Sequence, residues 1–481
     1  MNMKKLFLGL ITIALIGKSA YCQEASASIG KTIVVNEKNG VQRWKTSTPT
    51  SDFNIELRGK IELTDDDKDI KSISDDGYLE INKTVFGSKR TVIIESQGGG
   101  KVKKEYYEGR TKMGWENGKA WLGEILPELV RSSTIGAEDR VNRFYIKGGT
   151  TAVLEEIERL EGDYIKAHYG KLLLDKNLPA TEIPNVISTL SNEINSDYYL
   201  SALLKDNIKK LLVTPEAANA FYKATEDISS DYYKSMVLKD ALKSSTASLP
   251  QIKTILRSAS TINSDYYLSV VLTSLLESKT LDNETLNEVI VTSKNISSDY
   301  YRTQVLEKAL KNGSISNTST KVVIDALSDV GSDYYKTSVF NSLAEKTQLD
   351  PSLQIDIANV LRNSVSSDYY ASITITKILQ NQKLNNESLQ QLLQAAGSLN
   401  SSTYASNVFE EFAKKDLSSA QLIQILKATE TIDSDHYLSS VLQRLAPQVK
   451  TADASVKDAY RHAAKSIDSE TYYGRALKAI E

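Results

Sequence analysis

The sequence is poor in the residues that most often carry chemistry. Its 481 residues include one cysteine, Cys22, and three histidines. A single Cys excludes an intramolecular disulfide framework and a Cys-built zinc site. His168, His436 and His462 leave little room for histidine-based metal or acid–base chemistry. Long apolar runs are also missing: Leu6 to Gly17 has 12 residues, too few to span a bilayer as a helix. Phe (8) and Trp (3) are scarce, yet there are 25 Tyr, an odd balance because each buried phenol needs a hydrogen-bond partner. Hydrophobic residues at 41% and charged residues at 25% fit a folded chain rather than a disordered one. The length suits about three ordinary domains or one repeat array.

Residues 1–22 have the plan of a secretory signal peptide. Lys4 and Lys5 precede the apolar stretch, and Ala20 and Cys22 are small residues placed for cleavage before Gln23. The rival is a lipoprotein signal acylated at Cys22, for which Ser19 and Tyr21 are poor flanks. The expected product is exported, periplasmic or secreted, and without Cys outside the cytoplasm it has no thiol to manage. Cleavage removes Lys4, Lys5 and Lys18 and leaves 55 basic against 61 acidic side chains, a balance that argues against a nucleic-acid binder.

Residues 28–112 read as a small β-rich domain. Candidate strands are Lys31–Asn36, Asp52–Leu57, Gly77–Asn82, Lys89–Glu95 and Val102–Tyr107, with period-2 alternation clearest at Phe53, Ile55 and Leu57. Gly98-Gly99-Gly100 suits a hairpin loop, and a phosphate-cradling loop is excluded because a strand rather than a helix follows. The basic stretch Lys101, Lys103, Lys104, Arg110 and Lys112, diluted by Glu105 and Glu108, is expected to be a solvated hairpin face. Residues 113–148 switch to helical period, with Trp121, Leu122, Ile125, Leu126, Leu129 and Val130 as a core stripe and Pro127 as an expected kink or restart.

From 149 to 481 one phrase recurs: apolar-x-Ser-Asp-Tyr-Tyr. Its Asp position falls at Asp163, Asp197, Asp231, Asp265, Asp299, Asp333, Asp368, Ser402, Asp435 and Glu470, in steps of 33 to 35 residues. Ser before Asp is an N-cap signature, and Asp at the next position favours the helix dipole. Each unit then holds two amphipathic helices. In the fourth, Tyr267, Val271, Leu272 and Leu275 share one face, and Leu286, Val289, Ile290 and Ile296 belong to the second helix. Such units cannot bury their apolar faces alone, so neighbours must stack. The expected fold is α+β and multi-domain: the small β-rich domain followed by a right-handed α-solenoid of about ten 34-residue two-helix repeats.

Two-helix units of this length resemble the HEAT and tetratricopeptide α-solenoids, although the tetratricopeptide pattern of Trp, Leu-Gly and Tyr followed by Ala and Pro is absent. The order of β domain, Trp-bearing helix and Ser-Asp-Tyr repeats is similar to that of uncharacterised exported bacterial proteins. Comparable regions also follow membrane metallopeptidase sensor domains, but with no His-Glu-x-x-His here the resemblance implies no peptidase activity.

The two tyrosines of the phrase differ. Taking about 100° per residue, the residues four, five and eight beyond the second Tyr lie roughly 40°, 140° and 80° from it, which puts it on the core side with its hydroxyl on a neighbouring backbone. The first Tyr points away from that arc. It gives way to Thr403, His436 and Thr471 in the last three units, which a core position would resist. Tyr198, Tyr232, Tyr266, Tyr300, Tyr334 and Tyr369 are therefore the candidate binding ladder. Packing that merely seals the next unit is the competing account.

Catalysis needs one assembled site, whereas the Ser-Asp-Tyr phrase is copied ten times, so no enzyme, cofactor or metal site is expected. The expected role is an exported scaffold or adaptor that binds a protein or peptide on the solenoid surface. The alternative is a cell-envelope glycan binder stacking sugars on the tyrosines.

Overall fold

A computed structural model of the chain describes residues 23–24, 34–38, 40–48, 50–244, 249–312, 315–346 and 348–481. The expected signal peptide, Cys22 and the start of the first candidate strand lie outside them. The chain divides into two compact units, Met1–Asp227 and Ile228–Glu481, a division that falls inside the repeat array.

The first unit begins with ten strands: β1 (Gln23–Glu24), β2 (Val34–Lys38), β3 (Val41–Thr48), β4 (Ser51–Arg58), β5 (Ile61–Leu63), β6 (Ile70–Ile73), β7 (Tyr78–Val85), β8 (Ser88–Ser96), β9 (Val102–Glu108) and β10 (Thr111–Met113). Eight form one antiparallel sheet in the order β1-β2-β3-β4-β7-β8-β9-β10, and β5 and β6 pair separately. Register explains the core. Trp44, Ile55, Ile81, Val92 and Tyr106 are consecutive cross-strand partners, as are Leu57, Leu79 and Ile94, and all are buried. The predicted triple-glycine hairpin loop is present, with φ of 82°, 61° and 78°.

Helix α1 (Trp115–Arg131) covers that face with Trp121, Leu122, Ile125, Leu126, Leu129 and Val130. It runs on through Pro127 to Arg131, so the proline does not restart it. A side chain at Gly118 would bring its Cβ within 2.5 Å of Tyr106 Cβ, so glycine is what lets α1 lie this close to β9. Next come α2 (Ala137–Glu158), broken at Gly148–Gly149, then α3 (Asp163–Leu174), α4 (Ile183–Glu193), α5 (Asp197–Asp206), α6 (Ile208–Leu211) and α7 (Pro215–Ala224).

A buried charge cluster ties strands to helices. Arg140 is fully buried and reaches Asp67 in the β5–β6 loop (3.1 Å), Glu156 (2.6 Å), the Val130 carbonyl (3.2 Å) and the Tyr169 hydroxyl (2.6 Å). Arg131 meets the same Glu156 at 2.8 Å, and Arg143 bonds Asp67 and the Thr64 carbonyl. Burial alone would lower the Arg140 pKa, but Tyr169, Asp67 and Glu156 hold it above its ordinary value. Burial would likewise raise Glu156, yet Arg131 and Arg140 hold it below the usual carboxylate value.

The regular elements of the second unit are all helices among its described residues. First helices of the repeats are α8 (Asp231–Ser244), α10 (Asp265–Ser278), α12 (Asp299–Ala309), α14 (Asp333–Lys346), α16 (Asp368–Asn381), α18 (Ser402–Phe412), α20 (Asp435–Thr451) and α22 (Glu470–Lys478). Second helices are α9 (Leu249–Ala259), α11 (Asn283–Thr292), α13 (Asn317–Ser328), α15 (Pro351–Ser364), α17 (Asn386–Gly397), α19 (Ser419–Thr429) and α21 (Ala454–Ala464). First helices pack on first helices and second on second, as a stacked two-layer array requires. Val271, Leu272, Leu275, Leu286, Val289, Ile290 and Ile296 are buried as their spacing predicts. Together with the β region this is an α+β chain ending in an α-solenoid. No helix among the described residues is long and apolar enough to cross a membrane.

Candidate functional site

The start of each first helix is where the repeated phrase acts. Sequence reasoning assigns Ser as a side-chain cap, but Ser196, Ser264, Ser298, Ser367, Ser401, Ser434 and Ser469 occupy the cap position without a side-chain cap bond. The Asp that follows does more than meet the helix dipole. Asp231 accepts from the backbone N–H groups of Asn263 (3.1 Å) and Ser264 (2.8 Å), one repeat further on. Asp265 does the same with Ser297 and Ser298 (2.9 and 2.7 Å), and Asp299 with Gly331 and Ser332 (3.1 and 2.7 Å). Asp333 and Asp435 repeat the pair, and Asp368 holds Ser401 at 2.7 Å. In the first unit Asp163 takes the N–H of Asn195 at 3.1 Å. The carboxylate thus satisfies orphan amides of the neighbouring repeat, and Ser supplies a small residue whose N–H can donate. Second helices do use side-chain caps, from Thr214, Asp282, Ser316, Asn385, Ser418 and Asp453.

At the other end of the first helices, amides close the stack. Asn312 donates to the Leu276 and Lys279 carbonyls and accepts from the Leu281 N–H. Gln382 and Gln448 hold the preceding loops at the Ala344 and Ala413 carbonyls in the same manner. A third set of contacts comes from the residue after the two tyrosines. Lys234, Arg302 and Lys336 are buried there and reach Thr261, the Ala326 carbonyl and the Ser364 carbonyl, at the end of their own second helix, where a cation suits the dipole. Burial lowers the Lys336 pKa.

With these ends fixed, the tyrosines form a stripe. Tyr198, Tyr232, Tyr266, Tyr300, Tyr334 and Tyr369 are each 46–55% exposed. The predicted outward orientation of the first Tyr is therefore observed. The second Tyr departs from expectation: Tyr199, Tyr233, Tyr267, Tyr301, Tyr335, Tyr370, Tyr404, Tyr437 and Tyr472 are half-buried rather than core residues. The buried arc also includes the next two positions, such as Leu268 and Ser269, which moves its centre to about 120° from the second Tyr. Aromatic contacts hold Tyr267, Tyr301, Tyr335, Tyr370 and Tyr404.

Those contacts form an unbroken series from Tyr232 to Tyr404 in the second unit. Each first Tyr meets its own second Tyr at 5.1 Å between centroids, and the second Tyr of the next repeat at 5.6–5.9 Å: Tyr232 with Tyr267, Tyr266 with Tyr301, Tyr300 with Tyr335, Tyr334 with Tyr370 and Tyr369 with Tyr404. Most of these pairs are edge-to-face, a favourable aromatic geometry. Thr403 ends the series, and His436 restarts it between Tyr437 and Tyr472. A cleft of about 510 Å³ opens where the series ends, lined by Tyr369, Ile373, Lys377, Tyr404, Glu410 and Lys414 among others. In the first unit Tyr198 and Tyr164 both pack on Tyr199, and burial raises the pKa of Tyr164 and of Tyr199.

The other candidates are not members of the exposed tyrosine row. His168 sits on α3, where burial lowers its pKa, and His462 lies on α21, 3.9 Å from Glu430. Part of the basic stretch of the β region is neutralised locally: Lys103 and Lys112 pair with Glu105, and Lys104 with Asp69 at 2.7 Å. Hydrogen bonds from Lys112, Tyr107 and Lys103 pull the Glu105 pKa down to about 2. Among the described residues no group of His, Cys, Asp and Glu is placed to hold a metal ion.

No protein-family model matches the chain, and no curated protein matches it. Eleven chains of solved structures align with it, of which two illustrate the likeness. One, described as "Computational Design of Self-Assembling Cyclic Protein Homooligomers", is 11% identical over 72% of this chain and 92% of its own, with a TM-score of 0.09. The other, described as "Circular tandem repeat protein with novel repeat topology and enhanced subunit contact surfaces", is 12% identical over 76% and 72%, with a TM-score of 0.12. With TM-scores this low, the fold assignment rests on the helices of this chain and the contacts between them.

Proposed function

We propose that this protein is an exported, non-catalytic scaffold of HEAT-like repeats that binds a protein or peptide partner along the tyrosine stripe. The observation that carries the reading is the row Tyr232, Tyr266, Tyr300, Tyr334 and Tyr369, half exposed and each wedged between two other rings. Tyr gives large contact area for few rotors, and rings already held in place lose little freedom on binding. The ring neighbours also favour a polypeptide over a sugar. A sugar stacks on an open aromatic face, and each of these rings already has two aromatic neighbours.

Substituting Tyr266, Tyr300 and Tyr334 together by Ser tests the proposal. The expected result is loss of a partner from pull-downs of envelope extract while the variant stays folded. A large drop in melting temperature with an unchanged set of partners overturns it and leaves the stripe as a seal between repeats. Tyrosine-dependent co-sedimentation with insoluble envelope polysaccharide would favour the glycan reading. Export has its own check: N-terminal sequencing of the protein recovered outside the cytoplasm should begin at Gln23.

A further inference from the structure

The end of the sheet where β7 turns into β8 carries an apolar tip. Its central residues, Phe86 and Gly87, both have positive φ, 47° and 83°. Two-residue hairpin turns with this geometry favour Asn-Gly or Gly-Gly, and a bulky side chain resists it. Phe86 gains little from packing in return: it is 82% exposed, and Val85 beside it 38%. The tip is nonetheless fixed, since the Phe86 N–H donates to the Thr50 carbonyl at 3.0 Å in the adjoining β3–β4 turn. A single exposed aromatic is ordinary. One held in a backbone conformation that disfavours it, with no packing to offset the strain, points to a use outside the fold.

Positive charge surrounds the tip. Residues 83–90 and the β9–β10 turn, 108–111, carry Lys83, Lys89, Arg90 and Arg110 against one carboxylate, Glu108. The two turns are joined by the Gly109 N–H, which donates to the Lys89 carbonyl at 2.8 Å. Lys83 sets its ammonium 5.6 Å from the centre of the Phe53 ring, and Glu108 accepts from the Tyr106 hydroxyl at 2.9 Å. Asp52, on the neighbouring strand, takes the Ser47 hydroxyl. Lys89, Arg90 and Arg110 are exposed and, among the described residues, form no ion pair. Strand alternation puts Lys89 and Arg90 on opposite faces of the hairpin, so cations flank the tip on both sides.

We propose that this hairpin docks the protein on an anionic phospholipid surface. Phe86 and Val85 enter the boundary between headgroups and acyl chains, while Lys89, Arg90 and Arg110 meet the lipid phosphates. A protruding apolar pair needs a matching pocket on a protein, whereas a bilayer receives it without one. Long basic side chains can keep their charges among the headgroups as their stems follow the apolar tip inward. The contact is peripheral, lies wholly in the first unit and does not depend on the stripe reading.

The test is co-sedimentation of the full chain with vesicles of phosphatidylglycerol and phosphatidylcholine in equal parts. Saturable binding that weakens with added salt is expected, with none to phosphatidylcholine alone. Phe86→Asn suits the turn better, so it should not lower the melting temperature, yet it should weaken vesicle binding about tenfold. Lys89→Gln and Arg90→Gln should each weaken it about fivefold. In Phe86→Trp, the added indole emission should shift to shorter wavelength on the mixed vesicles. Replacing Tyr266, Tyr300 and Tyr334 by Ser should leave vesicle binding unchanged. No binding to the mixed vesicles, equal binding to phosphatidylcholine, or Phe86→Asn binding as tightly as the parent chain overturns the proposal. Loss of binding in the triple tyrosine variant overturns the assignment to the hairpin. A Phe86-dependent protein partner recovered without vesicle binding gives the tip to a protein instead.

Discussion

In the first unit the buried charges of Arg140, Asp67 and Glu156 converge on one point, whereas in the second unit Asp231, Asp265, Asp299, Asp333 and Asp435 each close the same two hydrogen bonds a repeat apart. One design concentrates its polar interactions and the other distributes them. A concentrated cluster makes many elements depend on one side chain. A distributed set lets any one copy fail, and Ser402, which stands where most repeats have Asp, is such a failure already tolerated by the array.

The sharpest way to break this contrast is Arg140→Met. It leaves Asp67 and Glu156 buried without their shared cation and should cost about 3–5 kcal/mol. Hydrogen exchange should show α1, α2 and α3 opening while the amides of the second unit keep their protection. Lowering the pH reaches the same cluster more gently. Because the Glu156 pKa is held below its unfolded value, its contribution is present above the ordinary carboxylate range and is lost as the pH falls through the lowered value. Acid titration followed by hydrogen exchange should therefore loosen the first unit around α2, and Glu156→Gln should flatten that dependence. If the second unit unfolds first, the contrast fails.

Removing one distributed contact should matter less. Asp299→Ala strips the acceptor from the Gly331 and Ser332 amides, an expected loss of about 1–3 kcal/mol that stays with the adjoining repeats, as nearest-neighbour coupling predicts. Exchange at residues 331 and 332 should rise while the turn at 263 and 264 is unchanged. The smallest effect should be a gain. Thr403→Tyr restores the missing ring beside Tyr404 and within one repeat of Tyr437, worth about 0.5–1.5 kcal/mol per new pair. A rise in melting temperature would support the stripe as a stabilising series, and a fall would show that Thr403 is required where it stands.

Much of the second unit is legible residue by residue. The first helices begin at Asp231, Asp265, Asp299, Asp333, Asp368, Ser402, Asp435 and Glu470, each at the anticipated position. The outward set of the first tyrosine is readable twice, from its angle on the helix and from its replacement by Thr403, His436 and Thr471. The Asp–amide bonds are not readable, because the acceptor and its donors lie 32 to 34 residues apart and local pattern speaks only for one helix end. The second tyrosine is half-buried rather than core because the buried arc counts small residues such as Ser269, which hydrophobic spacing overlooks. In the first unit β3 escapes notice since its buried Val41 and Trp44 do not alternate, and β5 and β6 are too short to show a period.

The sequence by itself determined the repeat period, the helix starts and which tyrosine faces outward, because each is settled within a turn or two of backbone and then copied. Only the tertiary structure decided that Asp holds the next repeat, that the rings from Tyr232 to Tyr404 form a continuous series and that Arg140 gathers Asp67 and Glu156. Those outcomes depend on which distant groups meet once the layers stack, and no local preference encodes that meeting.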